Sequence, residues 1–407
     1  MEHGSQQISH DVLLDTYAQA GEQTVDDVRR RIGSALAEAE APAQRAGWAE
    51  RFQWAQGAGF IGAGRVAAHA GAASTGTMIN CFVQPLCDSI SHADASAPAI
   101  YTALAEVAET LRLGGGVGLD FSPIRPQGAL VAGTDTLAAG PLAFMQLFDA
   151  SCRILGLTAL RRGAQMAALR CDHPDVEAFA RAKAAGGLST FNLSVAVTDG
   201  FMQALERDDD IELVHAAEPA AAQRDAGAMR RGDGLWVYRR VPARRLWERF
   251  VRQAHEGGEP GVLFIDRINA DNNLGYCERI AVTNPCGEQP LPPYGACCLG
   301  SIDLTRLVEA PFEPTARLAL ERLQAIVPVA VRMLDNVIQL TRWPLVQQQQ
   351  QALAKRRIGL GFTGLGDALV MLGLHYGSAP ARELAAEVAR VMRDAAYAAS
   401  VALARER

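Results

Sequence analysis

Apolar positions along the chain change their spacing near residue 58 and again in the last third. Between residues 9 and 57 they recur at helical intervals, most clearly over 25–39, with Ala-rich charged segments on either side. This predicts an N-terminal helical region over residues 1–57, a cap ahead of a main fold over 58–407. From about residue 58 short apolar runs broken by Gly and Pro alternate with stretches of helical periodicity. The runs at 77–83, 191–197 and 261–265 predict strands; 97–112, 142–155 and 176–185 predict helices. Strands separated by helices argue for an α/β fold with parallel pairing, because parallel neighbours need a crossover long enough to hold a helix. Residues 206–233 are polar and charged and read as a surface excursion. The last third is helical again, over 318–341 and 381–405, and no repeat of fixed period stands out.

Length and composition narrow the picture. A chain of 407 residues exceeds the usual single-domain size, so a large core is expected, in two domains or one big α/β unit. Apolar residues at 49% and charged residues at 21% are the balance of a soluble globular protein. The net charge of -6 carries no basic stripe, which argues against a nucleic-acid polymer as partner. The first ten residues show no basic run followed by an apolar core, and no later run of 18 apolar residues is free of charge. A cytoplasmic chain with no membrane partner is expected. Eight cysteines are too sparse for a disulfide scaffold, and no Cys/His spacing resembles a zinc site, so no metal is expected.

Candidate chemistry concentrates in Asn284-Pro285-Cys286-Gly287-Glu288. Pro and Gly exclude a helix or central strand. In an extended loop the side chains of Asn284, Cys286 and Glu288 would project to one side, so that an amide, a sulfur and a general base meet one small ligand. Cys297 and Cys298 follow shortly after, and Cys81 lies far upstream in Asn80-Cys81-Phe82-Val83. Three separated thiols and a carboxylate suggest redox chemistry rather than a structural bridge. Taken alone, Cys286 also reads as an inert buried thiol and Cys81 as core. Cys87, Cys152, Cys171 and Cys277 read as structural thiols. The glycine run before Asp120, with Gly116 in it, either lets backbone approach a ligand or makes a tight helix-to-strand turn. Gly359-Leu360-Gly361-Phe362-Thr363-Gly364 satisfies G-x-G-x-x-G, but Lys355-Arg356-Arg357 stands where a strand should precede it. It reads as a close-packed turn entering a helix from Asp367.

Longer strings taken together resemble the large catalytic subunit of ribonucleotide reductase, in its adenosylcobalamin-dependent, class II form. They are Arg161-Arg162-Gly163-Ala164-Gln165-Met166, Leu169-Arg170-Cys171-Asp172-His173-Pro174-Asp175, Phe191-Asn192-Leu193-Ser194-Val195 and the 18 residues from Asn284 to Ser301. The resemblance runs from about residue 10 to the end of the chain. It implies the α/β barrel of that family, and reduction of ribonucleoside diphosphates for DNA synthesis with adenosylcobalamin and a thioredoxin-type reductant. In the family a thiyl radical abstracts the 3′-hydrogen, the cofactor supplying the radical and the protein its position. Cys286 matches that cysteine, Glu288 the base on the 3′-hydroxyl and Asn284 an amide that holds the substrate. Cys81 and Cys297 match the dithiol that reduces the 2′ position and is regenerated by thiol exchange. Counting back from Leu304 favours Cys297 over Cys298. Asn80, Cys81, Gly116, Asn284, Pro285, Cys286, Gly287 and Glu288 match substrate-contacting positions. Asp88, Ser89, Ile90 and Arg125 align with the segment that binds a deoxynucleotide effector, though as isolated residues they would be ordinary surface.

Family members continue beyond the counterpart of Arg407, with a phosphate-binding loop, later barrel strands and a C-terminal cysteine pair. The chain is therefore expected to hold only the first part of the barrel, and to work as a homodimer or with a complementing chain. The stretch Ile154-Leu155-Gly156-Leu157-Thr158-Ala159 is also more apolar than the family pattern. Two alternatives stay open: a class I large subunit served by a separate radical-generating subunit, and a catalytically incomplete fragment that keeps effector-nucleotide binding or subunit contacts.

Overall fold

The computed structural model describes residues 7–73, 76–131, 133–134, 136–156, 163–184 and 186–407. Arg161 and Arg162 of the first family string, residues 157–159 of the apolar stretch, Ala185 and the first six residues lie outside the described residues. The chain divides into two compact units. One comprises residues 81–296 with 344–348; the other comprises 1–80, 297–343 and 349–407.

The first unit is built on a parallel sheet of β1 (Cys81–Gln84), β2 (Gly116–Asp120), β3 (Gln165–Arg170), β4 (Phe191–Val197) and β5 (Gly261–Phe264), in that spatial order. Helices Ile100–Arg112, Pro141–Leu155, Val176–Ala180 and Ala243–Gly257 lie in the successive crossovers. Parallel strands with both faces covered read as continuous apolar runs rather than alternating ones. β4 occupies the seven residues expected of it, six of them buried, with Asn192 and Ser194 as the polar interruptions of its apolar run. The run at 77–83 begins its strand only at Cys81, and the predicted 176–185 helix ends at Ala180. β2 and β3 were not expected as strands: β2 carries two glycines in five residues, and only its pairing on both sides makes it a strand. Gly114, at φ +92, makes the turn from the preceding helix, and Gly116 opens β2. Phe82, Val117, Leu119, Phe121, Leu193 and Val195 fill the core with Phe148 and Phe179. The polar 206–233 segment is more ordered than an excursion: Asp210–His215 and Met229–Arg230 pair with Trp236–Pro242 in a small antiparallel sheet. A hairpin of β6 (Val282–Thr283) and β7 (Pro290–Leu291) also belongs to this unit.

In the other unit, helices Val25–Ala37, Arg45–Gly57, Leu320–Leu340 and Ala379–Glu406 pack with Phe60–Gly62, β8 (Ala296–Asp303) and β9 (Ile358–Thr363). A reciprocal cap between Thr24 and Asp27 starts the Val25–Ala37 helix. Leu320–Leu340 is long and apolar enough to cross a membrane, but 67% of its apolar window is buried in the protein, as for a core helix. Its charged residues are buried only as partners: Arg332 binds Glu40 at 2.7 Å and Asp335 binds Arg356 at 2.5 Å. The glycine motif at 359–364 corrects the sequence reading. It is not a turn but β9, paired in parallel with β8 from Cys298↔Ile358 to Asp303↔Thr363. Only Gly364, at φ +74, turns the chain, and the next helix starts at Leu365 rather than Asp367. Glycines inside a strand form no strand-to-helix loop for a pyrophosphate, so the motif offers no dinucleotide cradle.

Candidate active site

Asn284 to Gln289 form the loop of the β6–β7 hairpin. The Asn284 N–H donates to the Gln289 carbonyl at 3.0 Å and closes it. Inside, the Gly287 N–H donates to the Asn284 carbonyl at 3.1 Å, which makes residues 284–287 a β-turn with Pro285 and Cys286 at its corners. Pro supplies the fixed φ of the first corner, and Gly287 takes φ +88 without a Cβ penalty. The extended loop expected from the sequence is thereby corrected. Asn284, Cys286 and Glu288 do not alternate along a strand: Cys286 is exposed at the corner of the turn, while Asn284 is 1% exposed beneath it.

The turn brings Asn284 and Glu288 together instead. Asn284 Nδ2 donates to Glu288 Oε1 at 2.6 Å and to Cys81 Sγ at 3.1 Å, and its Oδ1 accepts from the Gln289 N–H at 2.9 Å. Cys81, the buried first residue of β1, donates from sulfur to Glu288 Oε1 at 3.8 Å. An amide, a thiol and a carboxylate therefore meet at the start of the sheet, next to Gly116, the register partner of Cys81. A thiol and a carboxylate in contact, oriented by one amide, have the geometry for exchanging a proton, and the carboxylate of Glu288 is exposed.

Three residues that the sequence reading did not single out seat this turn. A Cβ on Gly118 would lie 1.8 Å from the Thr283 carbonyl oxygen, so only glycine lets the hairpin backbone cross β2. A Cβ on Gly287 would meet Met166 Cε of β3 at 3.9 Å. Asn192 of β4 donates from Nδ2 to the Pro285 carbonyl at 2.7 Å. The second glycine of Gly116-Val117-Gly118 was a visible signal for close backbone approach; nothing local marked Met166 or Asn192.

The remaining candidates are distributed. Cys297 is buried in β8, its sulfur 3.7 Å from the Cys298 carbonyl, and belongs with Asn80 to the other compact unit. The Asn80 Oδ1 is buried without a hydrogen-bond partner. Asp88 and Arg125 come together: the Arg125 Nε donates to Asp88 at 2.8 Å and the Arg125 backbone N–H at 3.1 Å. With Ser89, Ile90, Leu137 and Phe144 they line a cavity of about 280 Å³. A larger cavity of about 740 Å³, with Arg170, His173 and His215 in its wall, also reaches Asp88 and Arg125. Among the other thiols, burial pushes Cys171 up to about 12 and raises Cys152, which keeps both protonated, whereas Cys277 is exposed.

The family model described as "Ribonucleotide reductase, barrel domain" matches residues 79–407. The chain belongs to the ribonucleotide reductase family. The vitamin B12-dependent ribonucleoside-diphosphate reductase of Mycobacterium tuberculosis (strain CDC 1551 / Oshkosh) is 40% identical over 334 residues, 82% of this chain and 44% of the relative. The protein of the same name from Thermoplasma acidophilum is 36% identical over 334 residues, 82% of this chain and 40% of the relative. Identity to the ribonucleoside-diphosphate reductase subunit alpha of Chlamydia pneumoniae is lower, 27% over 354 residues, 81% of this chain and 32% of the relative. The chain spans less than half the length of these reductases. The α/β class with parallel pairing expected from the sequence is the class of the reductase barrel.

Proposed function

We propose that the chain takes part in reducing ribonucleoside diphosphates to deoxyribonucleotides by thiyl-radical chemistry, for DNA precursor synthesis. The meeting of Cys81, Asn284 and Glu288 under the turn that exposes Cys286 carries this reading. In it, Cys286 as a thiyl radical takes the hydrogen from C3′ of the ribose and later returns one. Glu288 accepts the 3′-hydroxyl proton, and Asn284 holds the carboxylate and the substrate hydroxyl in register. Cys81 and Cys297 give up two electrons and two protons and become a disulfide, while the 2′-hydroxyl leaves as water. A thioredoxin-type dithiol restores the pair by exchange.

An exposed thiol at the corner of a turn fits a bulky radical source approaching from outside the sheet, and the Mycobacterium and Thermoplasma relatives named as vitamin B12-dependent are 40% and 36% identical against 27% for the Chlamydia pneumoniae subunit alpha. Adenosylcobalamin, when bound, would supply the radical that Cys286 receives. The Asp88–Arg125 pair with Ser89 and Ile90 is read as the seat of a deoxynucleotide effector, the guanidinium serving its phosphates. Substrate contacts are read at Asn80, Cys81, Gly116 and residues 284–288, in a cytoplasmic protein working as a homodimer or with a complementing chain. A second reading, a catalytically incomplete fragment that keeps effector-nucleotide binding, rests on the Asp88–Arg125 pair in the wall of the cavity of about 280 Å³.

Deoxynucleotide formation from a ribonucleoside diphosphate, with adenosylcobalamin, a dithiol and a deoxynucleotide effector, tests the proposal. Cys286→Ser is expected to abolish turnover and leave effector affinity unchanged. Turnover that survives in that variant defeats the radical assignment. Effector binding with no turnover in the parent chain selects the fragment reading.

A further inference from the structure

We propose that Asn192 is a positioning residue that sets where the Cys286 turn is held over the sheet. The inference deepens the reductase reading of that turn and rests on it. Gly118 pairs in register with Met166, and Met166 with Asn192, so the three form one row across β2, β3 and β4. The turn crosses this row. Its Thr283 carbonyl sits over Gly118, Gly287 beside Met166, and the Pro285 carbonyl accepts from Asn192 Nδ2 at 2.7 Å. Gly118 contributes space and Met166 an apolar contact; Asn192 contributes direction.

The hydrogen bonds within the loop, from Asn284 N to Gln289 O, Gly287 N to Asn284 O and Gln289 N to Asn284 Oδ1, fix its shape. Side-chain bonds at two places fix its placement: Cys81 with Asn284 and Glu288 at the entry, and Asn192 with Pro285 at the corner. The second acts directly on Cys286. The Pro285 carbonyl and the Cys286 N–H belong to one planar peptide, so a donor that fixes the oxygen fixes the plane leading into the Cys286 Cα.

Asn192 is itself braced. Lys183 Nζ donates to the Phe191 carbonyl at 2.7 Å and to Glu259 at 3.0 Å, and the other Glu259 oxygen accepts from the Leu193 N–H at 3.2 Å. This ion pair holds the backbone on both sides of Asn192 just before β4 begins to pair with β5 at Ser194↔Gly261. Asn192 is an exposed polar residue on an otherwise buried strand, and its donor is directed at the one carbonyl adjoining the thiol-bearing residue.

Asn192→Asp keeps the shape but cannot donate at neutral pH; Asn192→Gln keeps a donor. In the full chain, amide exchange of residues 286–289 is expected to quicken about three- to tenfold in Asn192→Asp, the effect of one lost hydrogen bond. β2 and β3 should stay at parent rates, and Asn192→Gln should return toward the parent. Where turnover is measured, kcat should fall about ten- to a hundredfold with KM and effector response unchanged, as for a misplaced reacting group. Unchanged exchange in Asn192→Asp, faster exchange throughout β2–β4, or a raised KM with kcat intact would each overturn the proposal. The exchange result needs no turnover, so a Cys286→Ser variant that keeps activity would remove the reductase reading and leave the placement of the turn tested separately.

Discussion

The side-chain amide nitrogen of Asn284 lies 3.1 Å from the sulfur of Cys81, a contact between residues 203 positions apart. The same nitrogen reaches Glu288 at 2.6 Å, and the amide oxygen takes the Gln289 N–H, so every atom that can bond in this buried side chain is engaged. Asn284→Ala would free the thiol and the carboxylate and strand a loop N–H. It is expected to lower stability by about 1–3 kcal/mol, the cost of leaving buried polar groups unmatched, and to abolish turnover. Asn284→Asp should be worse, because it sets a second carboxylate against Glu288. Urea midpoints equal to the parent in both variants would remove Asn284 from the centre of the site.

Gly118 permits what no other residue does. An added methyl would sit 1.8 Å from the Thr283 oxygen, inside backbone rather than against a side chain that can rotate away. Gly118→Ala should therefore lift the hairpin, destabilise by at least the ~1–3 kcal/mol typical of overpacking, and lower turnover. Gly47→Ala is the control, since its Cβ meets nothing within 4 Å on an exposed helix position. It is expected to stabilise by about 0.5–1 kcal/mol. Equal effects of the two in thermal melts would contradict the close approach.

Arg125 and Asp88 hold each other across the wall of a cavity of about 280 Å³. If a nucleotide effector sits there, its phosphates must compete for the same guanidinium. Arg125→Ala should then weaken deoxynucleotide binding about ten- to a hundredfold, the range of a hydrogen bond to a charged group. Calorimetric titration with a deoxynucleoside triphosphate measures it. Undiminished affinity places the effector elsewhere.

The parts legible in the sequence are those with local causes. β4 is a seven-residue, mostly apolar stretch that contains no Gly or Pro, and its bounds were readable. β2 and β9 were obscured by their glycines, and only pairing with distant neighbours makes them strands. Asn284-Pro285-Cys286-Gly287 carried a turn signal, Pro at the first corner and Gly closing the turn, which a two-residue alternation overlooked; hence the exposed side of Cys286 was misjudged. Cys81 under Asn284 joins residues that no local pattern connects: the sequence offered it as one of three separated thiols, and its role came only with the family resemblance. Asn192 stood within one of the family strings but without a role, because a polar residue on a strand acquires meaning only from the carbonyl it faces.

His173 stands in the wall of the larger cavity, 2% exposed, with both ring nitrogens committed: Nε2–H donates to the Ile124 carbonyl and Nδ1 accepts from the Asp175 N–H, each at 3.0 Å. That arrangement requires the neutral ring, and burial pushes its pKa from 6.5 down to about 4. His215, stacked edge-on at 5.5 Å, is lowered for the same reason. Between pH 6.5 and 4 the unfolded chain binds a proton that folded His173 refuses, so the stability due to the neutral ring is full above this window and is lost as pH falls through it. Burial raises Asp175, which works in the opposite sense around its own titration. The slope from His173 should approach about 1.4 kcal/mol per pH unit, with a total of about 3 kcal/mol as an upper limit. Urea unfolding at pH 7, 6 and 5 measures it, and His173→Gln, which keeps a donor and an acceptor but no titration, should flatten the slope. A parental slope in that variant would show that another group governs the acid limb.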